Sequence, residues 1–259
     1  MPALAHSSSL SSLPAEVWHA HTLATAPTRV QATGNALLDA QLPGGGWPVG
    51  AMTEVLQSSG VHCEWRLLLP ALARCGQGPV VLVGAPLLPF APALAAQGLA
   101  TQRLLWIAAQ APAQLLWATE QALRCAEVDA VLLWLPPSRP SRPLQQDGAR
   151  TDQLRRLQMA AAEHTKLLFV MRPAQVQSEA SPAVLRLQVD VSAQHSDALQ
   201  VHLLKRRGPP LDEPLTLQAC SPRLAMQLAL SAGPWTPLAS LQPLNRPRDA
   251  LDRPAARAA

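Results

Sequence analysis

The sequence predicts an α/β domain of three layers, with helices on both faces of a mostly parallel sheet and antiparallel strands added at its C-terminal edge. Three observations lead there. Short apolar runs alternate with helical stretches of about a dozen residues, the pattern of successive βαβ units. One of these runs, residues 130–135, is apolar throughout, as a strand covered on both faces must be. Just before the first core run, Gly44, Gly45, Gly46, Pro48 and Gly50 force a tight turn with exposed backbone.

Residues 34–42 are amphipathic over a turn or two, with Leu37, Leu38 and Leu42 expected to face inward. Residues 52–56 form the first core strand, followed by the loop Ser58-Ser59-Gly60 and a helix over 63–74. Residues 80–83 are the second strand, and the helix over 89–97 stops at Gly98. Residues 104–107 are the third strand, before a helix over 112–125. Residues 130–135, the fourth strand, lead into a polar loop at 136–150. Thr151 is expected to cap a helix over 151–163, with Asp152 at its positive end, and a strand over 166–171 follows. The last third changes character. Leu185, Leu187, Val189 and Val191 alternate with Arg186, Gln188 and Asp190, and Leu199, Val201 and Leu203 alternate with Gln200 and His202. With residues 215–218 these read as antiparallel strands at the sheet edge, and a helix over 223–231 closes the domain.

The core domain is therefore expected to span residues 30–232. Residues 1–29 are rich in Ser, Thr and Ala, with one apolar patch at 15–23, and predict a flexible arm carrying a short docking helix. Residues 233–259 hold Pro234, Pro237, Pro243, Pro247 and Pro254 with four arginines, too few apolar groups to build a core, and predict a flexible tail.

Composition excludes several classes. Of 259 residues only 15% are charged, too few for an intrinsically disordered chain. The net charge is +4, and a pI near 9.3 permits a nucleic-acid partner without requiring one. All basic residues but Lys166 and Lys205 are arginine, which suits flat contact with phosphate and carboxylate but equally accompanies the Ala, Leu and Pro of GC-rich coding. The longest uncharged stretch, residues 75–102, is broken by four prolines and makes no membrane span. MPALAHSSSL lacks a basic region before an apolar core, so no signal peptide is expected. Cys63, Cys75, Cys125 and Cys220 form no CxxC and read as buried thiols of a reducing cytoplasm. His19 and His21, and the pair His62 and Cys63, lack a third ligand at metal spacing, and no Ser sits in a G-x-S-x-G elbow. Trp65, Trp106, Trp117 and Trp134 fall on apolar faces and are expected in the core, whereas Trp18 and Trp47 are candidates for exposed partner anchors.

The informative segment is residues 33–56, TGNALLDAQLPGGGWPVGAMTEVL. Helix, glycine turn, strand, Ser-Ser-Gly loop and helix is where a phosphate-binding loop would sit. Gly34, Leu38, Asp39, Leu42, Gly44, Gly45, Gly46, Pro48 and Gly50 resemble the opening of the RecA recombinase core. The resemblance continues through Ser58-Ser59-Gly60, residues 94–99 and 128–135, and the strand ending Leu204-Lys205-Arg206-Arg207, and implies a RecA-like fold over roughly residues 30 to 220.

The departures carry the functional expectation. A working P-loop, G-x-x-x-x-G-K-[ST], cradles phosphate in glycine amides, neutralises it with Lys and holds magnesium with the hydroxyl. Here Val61 stands at the Lys position, His62 at the Ser/Thr position, Trp134 at the metal-holding Asp and Pro86 at the water-activating Glu. Losing all three functions together argues against ATP hydrolysis, and no cofactor is expected. Ser58, Ser59 and Gly60 then form either a vestigial anion site or a plain strand–helix loop.

A RecA-like shell without its ATPase parts resembles the ImuA family of damage-induced translesion synthesis proteins. EWRLLLPALAR at 64–74, APLLPFAPALAAQGL at 85–99, LRRLQMAAAE at 154–163 and FVMRP at 169–173 carry that resemblance. It implies a non-catalytic cytoplasmic adaptor at the nucleoid that works with ImuB, a Y-family polymerase relative, with an error-prone DnaE-type polymerase, and with RecA as a further contact. The alternative is a SulA-type inhibitor that binds the tubulin-like division GTPase, against which the long loop at 136–150 and the basic tail speak. Arg139, Arg142 and Arg150 lie where the RecA family's DNA-facing loops emerge, and Arg155 and Arg156 follow on the outer side of a helix that buries Leu154, Leu157 and Ala161. They are candidates for phosphate or partner contact, or else a solvated face. Lys205, Arg206 and Arg207 close an edge strand where the family's basic residues reach a neighbouring subunit, or else they guard that edge against aggregation.

Overall fold

The computed structural model describes residues 29–136, 149–192, 197–211 and 213–218. The predicted arm up to residue 28, Arg139, Arg142, the helix at 223–231 and the tail at 233–259 lie outside them. The chain order is β1 (Val30–Gln31), α1 (Ala36–Gln41), β2 (Trp47–Pro48), β3 (Ala51–Gln57), α2 (Glu64–Leu72), β4 (Val80–Val83), α3 (Ala91–Ala96), β5 (Leu104–Ile107), α4 (Pro112–Arg124), β6 (Ala130–Trp134), α5 (Thr151–Glu163), β7 (Leu167–Pro173), β8 (Leu185–Val191), β9 (Ala198–Lys205) and β10 (Leu215–Gln218). None of the described helices is long and apolar enough to cross a membrane.

β1 and β2 form a small antiparallel ribbon, and the other eight strands form one sheet in the order β10-β9-β8-β3-β7-β6-β4-β5. From β8 to β5 every neighbouring pair is parallel, and β9 and β10 are antiparallel additions. Because side chains alternate along a strand, the sheet buries two separate apolar faces. Val55, Leu82, Leu132 and Phe169 meet Leu68 and Leu72 of α2 on one face. Met52, Val81, Val131 and Val170 meet Leu115 and Leu123 of α4 and Leu154 and Leu157 of α5 on the other. The α/β class and the mostly parallel sheet are as the sequence predicts.

The opening motif folds as a local device. Asn35 caps α1 by accepting from the Leu37 and Leu38 N–H groups at 3.1 and 3.3 Å, and Asp39 accepts from the Thr33 N–H at 2.9 Å. A Cβ on Gly46 would lie 2.5 Å from the Gln31 carbonyl oxygen, so only glycine lets β1 pack here. Gly50 turns the chain into β3 at φ +75°, a left-handed conformation that other residues rarely adopt.

Several expectations are corrected. Residues 185–191 are not an antiparallel addition, because β8 lies parallel beside β3 and is antiparallel only to β9. A single helical turn and a half can bury only one ridge, so Leu38 and Leu42 go inward and Leu37 stays 62% exposed. Arg150, not Thr151, holds the cap position of α5, with its N–H on the Gln153 side chain at 2.9 Å. Trp47 is fully buried, packed edge-on to Phe169 at 5.4 Å, and is no surface anchor. Trp106, on the edge strand β5, and Trp117, on the outer face of α4, are exposed and not core. Cys125 is exposed and Cys75 half-buried, so only Cys63 among the described cysteines is a buried thiol.

Every residue of β3 is buried, and one of them is charged. The Glu54 carboxylate accepts from Arg172 of β7 at 3.2 Å and from Arg186 of β8 at 2.7 Å. Arg186 also donates to the carbonyls of Val176, Gln177 and Glu179, and Arg172 reaches the Glu179 carboxylate at 2.8 Å. This network holds down the crossover between β7 and β8. Glu54→Leu leaves two buried guanidinium groups without their shared partner and is expected to cost about 3–5 kcal/mol, read from the urea midpoint. A loss under about 1 kcal/mol, the range of an exposed pair, would show that the network carries no such weight.

Candidate functional site

In open α/β sheets, ligand crevices form outside the carboxyl ends of parallel strands. The ends of β3, β4, β6 and β7 open onto a cleft of about 630 Å³ at that place. Ser58, Ser59, Gly60, Val61, His62, Pro86 and Trp134 all line it, so the four positions read as departures from the RecA pattern come together in one site although they are scattered over 74 residues of sequence, from 61 to 134.

The local geometry differs from that of a phosphate cradle. The Val61 N–H donates to the Ser58 carbonyl at 3.0 Å, closing the loop on itself, and α2 begins only at Glu64. A phosphate loop needs its amides free and its helix starting at the ligand. Directly behind the lining lies Glu64, 3% exposed in the first turn of α2. Its carboxylate accepts from Trp134 Nε1 at 3.2 Å and from Gln57 Nε2 at 2.9 Å. The Trp134 indole is thus fixed by an internal carboxylate, and Trp65 packs against it at 6.5 Å. Arg172, which also lines the cleft, has its guanidinium engaged by Glu54 and Glu179. These residues do not fit a magnesium nucleotide: an indole, an isopropyl group and a buried acid stand where its holders would be.

Cys63 sits beside this acid, with its thiol on the Val189 carbonyl at 3.8 Å. Burial, opposed by a hydrogen bond from Gln57 and reinforced by the Glu64 and Asp190 carboxylates, pushes the thiol up to about 11. Near neutral pH it stays a protonated thiol and a poor nucleophile. Among the described residues no group of three His, Cys, Asp or Glu is placed to hold a metal ion.

The basic candidates separate by what they touch. Arg150 pairs with Asp152 at 3.3 Å in the first turn of α5. Arg156 crosses to Glu120 of α4 at 2.8 Å, beside Arg124 on the same carboxylate, so it ties two helices together. Arg155 is exposed on α5. Lys205 donates to the Ser181 carbonyl at 3.0 Å, and Arg206 to the carbonyl of Pro209 at 2.9 Å and to the carbonyl and side chain of Gln41. Arg206 therefore satisfies the last carbonyl of α1, while Arg207 is exposed. The cluster does not close an edge strand. β10 lies outside β9, although it pairs only as far as Val201, so no described strand covers the basic end of β9 on that side.

Sequence reasoning passed over Glu54, Gln57, Glu64 and Arg172. A lone acid inside an otherwise apolar core run was the available signal, since a buried charge requires a partner. The chain matches no protein-family model and no curated protein.

Labelling with a thiol reagent at pH 8, read by mass spectrometry, is expected to modify Cys125 at once and Cys63 only on unfolding. Because the Cys63 thiol ionises near 9.0 when unfolded and near 11 when folded, its contribution to stability is intact below pH 9 and lost between pH 9 and 11. Cys63→Ser should flatten that alkaline fall in Tm. Labelling of Cys63 at the rate of Cys125 would contradict the burial.

Proposed function

We propose that this chain is a non-catalytic, RecA-like accessory protein of damage-induced, error-prone translesion DNA synthesis, of the ImuA kind. In this reading it joins an ImuB-type polymerase relative to an error-prone DnaE-type polymerase, with RecA as a further contact. The observation that carries it is the co-location of the departures. Val61, His62, Pro86 and Trp134 share one cleft at the carboxyl ends of the parallel strands, and the Trp134 indole is held there by the Glu64 carboxylate. A cleft in the position of a nucleotide site, lined by residues unable to hold one, fits a descendant of an ATPase that kept the shell as a platform. The partner-facing candidates are Lys205, Arg206 and Arg207, with Arg155 on the outer face of α5.

The test is recovery of tagged full-length chain from damage-treated cells, with and without nuclease. Recovery of an ImuB-type or DnaE-type polymerase that survives nuclease is expected. Recovery of the tubulin-like division GTPase in its place would assign the chain to the SulA-type inhibitors and overturn the reading.

A further inference from the structure

At the opposite end of β3 from the cleft lies a second concavity, of about 260 Å³. The glycine turn forms one wall through Pro48 and Gly50, Ala162 of α5 another, and Leu185 at the start of β8 a third. Arg206 and Arg207 stand at its rim. The motif that dominates the sequence thus builds a groove as well as a turn, and the proposed cleft makes no use of it.

Two observations define what the groove takes. Its volume is below the roughly 300–1,000 Å³ of small-molecule pockets, and its walls are largely aliphatic, which suits a single large apolar side chain. Among the described residues the cations around it meet no carboxylate. Arg103, Arg124, Arg150, Arg156, Arg172 and Arg186 each meet a carboxylate. Lys205 and Arg206 are held by carbonyls and an amide oxygen, and among the described residues no carboxylate reaches them or Arg207. Carbonyl contacts orient these cations without neutralising them, so among the described residues the rim of the apolar groove carries positive charge. The complement is an apolar side chain flanked by carboxylates.

We propose that this groove is a docking site for a short acidic–apolar segment of a partner protein, which seats one apolar side chain against Gly50, Ala162 and Leu185 and sets carboxylates on Arg206 and Arg207. Planar guanidinium groups suit paired contact with carboxylate, and the aliphatic walls supply the desolvated anchor that such segments use. The proposal rests on the adaptor reading only in taking the occupant to be a protein. A nucleic acid would bring phosphate to the arginines and leave the groove empty.

The experiment measures fluorescence anisotropy of full-length chain with a labelled hexapeptide pool in which Asp or Glu alternates with Leu, Phe, Ile or Val. A pool with Lys at the acidic positions is the counterpart. Binding of the acidic pool alone is expected. Ala162→Trp, which fills the groove without changing charge, and Arg207→Glu should each weaken it by about tenfold or more, while Arg74→Glu on another surface leaves it unchanged. Arg206 is left intact because it caps α1. Failure to bind the acidic pool, or binding that survives Ala162→Trp, overturns the proposal. So does an oligonucleotide whose binding is lost to Arg207→Glu and untouched by Ala162→Trp. Those failures leave the nuclease-resistant recovery of polymerases unaffected, so the groove and the adaptor reading fall separately.

Discussion

The Glu54 carboxylate is the point on which the sheet depends. It sits in the middle of a strand with no exposed residue and holds one guanidinium from the strand on each side, Arg172 of β7 and Arg186 of β8. A buried ion pair is weak evidence for stability but a strong device for register. Slipping either neighbour by one residue would turn its arginine to the opposite face and leave a charge in the apolar core. With the three central strands locked, both ends of β3 are fixed in space. Its carboxyl end presents the loop at 58–62 to the cleft, and its amino end receives the glycine turn that walls the groove.

The back of the cleft is held together by polar contacts made within the chain. Glu64 places a carboxyl group in the first turn of α2, at the end of the helix whose dipole attracts anions. The indole N–H of Trp134 and the amide of Gln57 satisfy that carboxylate, and the loop amide of Val61 is satisfied by Ser58. On the proposed RecA-like reading, these contacts occupy the polar groups beside the positions of the absent Lys and Asp.

Much of the fold is legible because apolar runs between helical stretches mark strands: residues 80–83, buried on both faces, and 104–107, at the half-exposed sheet edge, can be read off to the residue. The location of the cleft is legible too, since the glycine turn announces the loop that lines it. Long-range pairing is less so. Residues 185–191 alternate like an edge strand because Arg186 looks polar in sequence, yet it is buried on Glu54 and the strand runs parallel inside the sheet. Apolar character alone misplaced the tryptophans. Trp106 lies on a strand with no neighbour beyond it among the described residues, whereas Trp47, in a glycine-rich turn, is enclosed because β1 folds back over that turn. The Glu64–Trp134 contact joins residues 70 positions apart, and no local pattern foretells it.

The most direct test is a titration of the purified full-length chain with a fluorescent ATP analogue, with and without magnesium. With its phosphate loop closed on itself and a carboxylate behind the cleft, the chain should give no saturable, magnesium-dependent signal up to about 1 mM, the regime of the weakest specific complexes. Micromolar, magnesium-dependent binding that Gly60→Val abolishes would contradict it, and would return the cleft to nucleotide chemistry.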